Sequence, residues 1–323
     1  MKKSLSAFMA GIIDYAGIFP PAALDMKTAI HNYSVYKKGT HQDFLAAFVC
    51  PAAKLRELYE YETLFKSEPV FKFSVLCTAG ADIATYADSI SDQLNEIAAF
   101  TKKMGAAAVI TSLEIKLPWQ THDAQAIVKA LNSGARLISA AVPDEVNVYY
   151  EIPRSNNWMT DVALFTEAIA THNTHFDAKT RYNKGGFKIR TGGVEASMFP
   201  TVEEVASAIY HCNKNGVPFK ATAGLHHPVR HFSEQLQTNM HGFLNVFGAG
   251  VLAKTHQLDE AKITSILLEE DIKQFRLNDH FFTWGKLKAG IHNLEEARSS
   301  FAVSFGSCSF DEPVDDLKTA GFL

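Results

Sequence analysis

Eight apolar runs of strand length, separated by segments with helical spacing, limit this chain more than any other feature. The runs fall at about 12–19, 44–50, 70–77, 107–115, 146–152, 186–193, 218–227 and 301–309. Amphipathic segments follow most of them, at about 25–36, 53–66, 83–103, 123–132, 161–172 and 200–216. The last of these is the sharpest. Thr201 and Glu204 are spaced as a capping box, and Asn215-Gly216 supplies the stop. A strand, a helix and a second strand in this order make the two strands parallel neighbours. Eight such units in 323 residues predict an α/β protein: a single (β/α)8 TIM barrel over residues 1–323. A doubly wound open sheet is the alternative, because alternation alone does not require closure.

Segment 228–300 is too long for an ordinary strand-to-helix connection and is expected to be an insertion between strands 7 and 8, covering or flanking the barrel mouth. It contains an apolar helix at about 240–254, an amphipathic one at about 258–270, and a hairpin at 275–284 turned at Asn278-Asp279.

Composition removes several functions. The formal charge is −4 and no Lys/Arg-rich run occurs, so nucleic acid is not an expected partner. Cys50, Cys77, Cys212 and Cys308 lie far apart without a CxxC pair, which points to reduced thiols and a cytoplasmic location. Met1-Lys-Lys and the apolar run after it mimic a signal peptide, but Asp14 closes the run and no small-x-small cleavage site follows. No apolar run approaches the ~18 residues of a membrane span, so no membrane partner is expected.

The chemistry concentrates in runs six and seven. Alternation puts Lys188 and Arg190 on one face of their strand and Lys220 and Thr222 on one face of theirs. Three cations on neighbouring buried strands are costly unless that face opens on a site. At the same strand ends stand Asp14 on strand 1, Glu114 and Lys116 on strand 4, and Glu151 and Arg154 on strand 5. His226 and His227 follow strand 7, and Ser307, Cys308 and Ser309 end strand 8. Structural ion pairs such as Glu114–Lys188 would also account for some of these residues. A lysine attacks a carbonyl only when its pKa falls toward neutrality, which desolvation and a second nearby ammonium can achieve. Lys188, Lys220, Glu114 and Glu151 are therefore the candidate catalytic set, expected in a common mouth. Asp14, Lys116, Arg190, Thr222, His226, Arg230 and Ser307–Ser309 are the candidate contacts for an anionic small molecule.

Lys188-Ile-Arg-Thr-Gly resembles the strand-6 Lys-x-x-Thr-Gly of the deoxyribose-phosphate aldolases, which are Schiff-base class I aldolases with a (β/α)8 fold. Lys220-Ala-Thr-Ala-Gly is similar to their strand-7 Lys-Ala-Ser-Gly-Gly, and Gly306-Ser-Cys-Ser309 to their phosphate-holding strand-8 turn. The resemblance implies a lyase with Lys188 as the Schiff-base lysine, Lys220 as the neighbour that lowers its pKa, and residues 306–309 as a phosphate nest. It covers about fifteen residues. The family's strand-4 aspartate is missing, so Glu114 would have to replace it, and both Arg190 and the long insertion depart from the pattern.

Two other readings remain open. His226 and His227 with Glu114 or Glu151 could hold Zn²⁺ or Mn²⁺ for a hydrolase or lyase, with Pro228 opening a helix that places His231 on its first turn. No HxH on strand 1 and no HExxH accompany them. The third reading is a non-catalytic anion-binding barrel, or a homo-oligomer using the apolar helix at 240–253 as an interface. Cys50 has no nameable partner and reads as interior, and Gly248-Ala-Gly250 as helix packing. No Walker or dinucleotide glycine loop is present.

Overall fold

The structure, a computed structural model, describes residues 1–66, 69–142, 145–175 and 182–323. Eight strands alternate with helices: β1 (Ile13–Tyr15), β2 (Leu45–Pro51), β3 (Phe71–Thr78), β4 (Ala108–Lys116), β5 (Val146–Glu151), β6 (Tyr182–Arg190), β7 (Phe219–Thr222) and β8 (Ala302–Ser307). They form a closed barrel in chain order, which excludes the open sheet. Contacts divide the chain into two compact units.

One unit comprises Leu24–Val35 and Ala47–Lys188. Its strands pair in parallel, with Ser74 opposite Ser112, Glu114 opposite Tyr149, and Tyr149 opposite Gly186. Phe73 packs edge-on to Phe100 of helix Ser91–Met104, and Phe187 to Phe165 of helix Trp158–Asn173, so these positions face the helices. Their alternates, Ser74 and Lys188, face the opposite way. On β4 the register slips by one residue: Ile110 pairs with Phe73, but Ser112 pairs with Ser74. This bulge at Thr111 puts Glu114 on the lysine's face instead of the helix face. Two helices differ from expectation. Segment 83–103 breaks into short turns before Ser91–Met104, because the Ser89 hydroxyl bonds the Tyr86 carbonyl and accepts from the Gly80 amide. Helix Ala124–Ala141 runs past Gly134, where the Tyr86 ring occupies the place of a β-carbon.

The other unit comprises Met1–Ala23, Tyr36–Ala46 and Ile189–Leu323. β8 lies between β1 and β7, pairing Asp14 with Gly306 and Gly306 with Thr222. The opposite faces are aromatic: Phe243 stacks on Phe305 and Phe247 on Phe219, both from helix Phe243–His256. This helix, within the 228–300 segment, thus forms the outer layer over β7 and β8. No helix begins at Pro228. The chain first makes a ribbon of His231–Ser233 and Thr238–Met240, and the helix starts after Gly242. The hairpin at Asn278-Asp279 is present, and Leu287–Gly290 adds a third strand to it. An unexpected short helix, Lys3–Met9, precedes β1. Arg298 is buried, with its guanidinium donating to the carbonyls of Phe8, Ala10, Ala302 and Val303.

Candidate functional site

Among the described residues, two buried lysine–carboxylate clusters stand one in each unit. In the first, Lys188 Nζ lies 2.8 Å from Glu114 Oε2 and 3.1 Å from Glu151 Oε2. The three residues are 7%, 5% and 4% exposed, so the ion pairs are shielded from water. Ser74 donates to Glu114 Oε1 at 2.6 Å, and Ser112 donates to Ser74 at 2.8 Å. In the second, Lys220 Nζ is 2.9 Å from Asp14 Oδ2, which also accepts from Ser304 at 2.6 Å. Lys220, Asp14 and Ser304 are all buried.

The expected depression of the Lys188 pKa is not found. Burial on its own disfavours the ammonium, but the charges of Glu114 and Glu151 and their hydrogen bonds outweigh it, so the pKa is raised. A carboxylate on each of two adjacent strands has this effect, and the lysine motif by itself does not reveal them.

The threonine and glycines of the two motifs have a packing role. Thr191 donates to the Ala223 carbonyl at 2.6 Å, and a β-carbon on Gly192 would lie 3.0 Å from Gly224 Cα and 2.6 Å from the Phe199 ring. Ala223 and Gly224 both adopt positive φ. The small residues therefore let the chain pack closely just beyond β6 and β7.

The remaining candidates are more dispersed. His226 Nδ1 is 2.8 Å from Glu312 and His227 Nδ1 is 2.6 Å from Asp316, both on the final helix Asp311–Thr319. His231 packs edge-on to His227. The hydrogen bond from His226 lowers the Glu312 pKa more than burial raises it. With Glu114 bound by Lys188 and Ser74, the proposed His226–His227–Glu114 metal set is not assembled. Among the described residues no three His, Cys, Asp or Glu side chains are placed to hold a metal ion. Arg230 pairs with Glu270, and its amide donates to Asn245, so it is committed within its own segment. Ser307 donates to the Ser309 carbonyl, while the Ser309 hydroxyl accepts from the Glu312 amide in the first turn of the last helix. Cys308 is buried there, its thiol pushed up by burial. Thr222 is half-buried, and Lys116, Arg154 and Arg190 are exposed. Burial also raises the thiol of Cys50, as expected of an interior cysteine.

Ser74, Ser112 and Ser304 were not singled out by sequence reasoning. Their signal was a small hydroxyl in an otherwise apolar strand, on the face that the charges occupy. A cavity of about 510 Å³ lies between helices Ala124–Ala141 and Trp158–Asn173, lined by Gln125, Lys129, Arg136 and Glu167, and none of the charged site residues reaches it. Among the described residues no helix is long and apolar enough to cross a membrane. The chain matches no known family model and shows no significant match to any curated protein.

Proposed function

We propose that the protein is a small-molecule enzyme, an aldolase-like lyase acting on an anionic carbonyl compound through an imine on Lys188. The (β/α)8 barrel is compatible with an enzyme, and active sites in this fold form at the C-terminal strand ends. The observation that carries the reading is the Lys188 amine held between two buried carboxylates. Imine formation needs the ammonium to lose a proton, the amine to attack the carbonyl carbon, and an acid to protonate the departing hydroxyl. Glu114 or Glu151 can do both transfers: it takes the proton from Lys188 and returns it to the carbinolamine oxygen, which leaves as water. The first transfer converts an ion pair into a neutral pair, and burial favours neutral forms. A raised resting pKa is thus no obstacle if the proton moves within the cluster. The local resemblance to deoxyribose-phosphate aldolases supports the same lysine.

Borohydride reduction with a panel of small aldehydes and 2-keto acids tests it. A covalent adduct should map to Lys188 and disappear in Lys188→Met; no adduct with any of them defeats the proposal. A second reading is favoured by the raised Lys188 pKa. There the ammonium remains charged and steadies an enolate while a glutamate removes the carbon-bound proton. It predicts uptake of solvent deuterium by the carbonyl compound with no trapped adduct.

A further inference from the structure

Four buried groups stand in line in the unit carrying β2 to β5. Ser112 Oγ is 2.8 Å from Ser74 Oγ, Ser74 Oγ is 2.6 Å from Glu114 Oε1, and Glu114 Oε2 is 2.8 Å from Lys188 Nζ. Counting protons sets the direction of the line. An ionised carboxylate only accepts, so the single Ser74 proton points to Glu114, and the Ser74 oxygen accepts from Ser112. Ser74 is 0% exposed and Ser112 6%, so bulk water does not replace either hydroxyl. A hydrogen bond to the charged form of a carboxylate favours that form. Ser74 therefore stabilises Glu114 as the anion and works against transfer of the Lys188 proton to it.

The geometry points to Ser74, oriented by Ser112, as a positioning residue that keeps the shared proton on Lys188 in the resting protein and releases it when the Ser74–Glu114 hydrogen bond breaks. A carbonyl oxygen entering beside Glu114 could compete for that bond and so couple binding to formation of the free amine. Among the described residues of this unit the charged groups paired with Lys188 are Glu114 on β4 and Glu151 on β5. Tyr149 is in register with Glu114 and Gly186, and Lys116, in register with Glu151, is exposed at the strand end. All of these are retained when only a serine is changed. The inference rests on reading Lys188 as the working amine, but its test needs no substrate.

Competitive labelling with acetic anhydride from neutral to alkaline pH, read by peptide mapping, reports the neutral amine at Lys188. Passing the shared proton to Glu114 leaves the cluster's proton count unchanged, so it raises labelling at neutral pH relative to the alkaline plateau and does not lower the alkaline midpoint. Ser74→Ala should raise that ratio about tenfold, the size expected for losing one hydrogen bond to a charged group. Ser112→Ala should raise it by less, and Ser74→Thr should restore it. A merely structural serine would behave differently: its loss would loosen the fold and speed labelling at every pH by one factor, leaving the ratio unchanged, which overturns the inference. If Ser74→Ala does not fold, Ser74→Cys, a weaker donor of similar size, gives the same readout. Borohydride trapping separates this idea from the one beneath it. Trapping in the wild type with an unchanged ratio in Ser74→Ala overturns the relay alone; a raised ratio without trapping upholds the relay and defeats the imine.

Discussion

Replacing Lys188 by methionine keeps an apolar stem of similar reach but removes the cation between Glu114 and Glu151. Two unit charges about 4 Å apart attract by about 4 kcal/mol at an effective permittivity near 20, so the two contacts amount to roughly 8 kcal/mol before desolvation. The cost of taking an ammonium out of water offsets several kcal/mol of that. Breaking such a buried pair on one side leaves a loss of about 3–5 kcal/mol, because two buried carboxylates lose their counter-charge. The pH dependence has a definite sign. Since the Lys188 pKa is raised in the fold, its stabilisation is complete below the ordinary lysine value of 10.5 and is lost as pH climbs through the raised value. In the variant, acid relieves the strain by protonating one glutamate. The difference between the two proteins should therefore peak near neutrality and shrink in both directions. Urea unfolding at a series of pH values, followed with two probes because the chain has two compact units, measures it. A neutral-pH difference under about 1 kcal/mol, or one independent of pH, would refute the low-polarity reading of the cluster, since that is how an exposed ion pair behaves.

Three further outcomes are expected. His172 is held neutral by burial, its pKa lowered from 6.5 to about 4, so stability should fall by on the order of 3 kcal/mol as pH drops through that window. His172→Gln should flatten the urea-midpoint profile there, and an unchanged profile would count against the assignment. Glu312 has a lowered pKa, so its contribution is present above the ordinary value of 4.5 and lost as pH falls below it. Glu312→Gln should remove that part of the acid limb, as seen in thermal unfolding. Gly250→Ala would set a β-carbon 2.9 Å from the Phe219 ring and 3.0 Å from Ala302 Cβ, and should cost about 1–3 kcal/mol by overpacking in the same urea assay.

Local patterns were reliable guides. The Thr201–Glu204 capping box forms as its spacing demands, with reciprocal bonds of 3.2 and 2.7 Å. The strand count implied the barrel. Features decided by distant partners could not be read. Nothing near Lys220 announces Asp14, more than two hundred residues earlier in the chain. The bulge at Thr111 changes which face of β4 meets the lysine, yet a run as apolar as this one allows either register. Gly134 resembles a helix stop only until Tyr86 is known to fill the space beside it. The small residues of the two lysine motifs were read for chemistry, and close packing accounts for Thr191, Gly192 and Gly224.

The unit holding β1, β7 and β8 has a consequence for the order in which the protein is made. Ile13 pairs with Phe305, and the carbonyls at Phe8 and Ala10 are bonded by Arg298. On the ribosome the first strand must therefore wait for nearly the whole chain before its β8 partner exists. The other unit, mostly one continuous stretch from Ala47 to Lys188, can assemble during that interval. Apolar residues such as Phe8, Met9, Ile12 and Ile13, all buried in the finished fold, are meanwhile without their cover. The early chain is thus the part most in need of shielding during synthesis, and a ribosome stalled before residue 298 should expose it to proteases while leaving the middle of the chain protected.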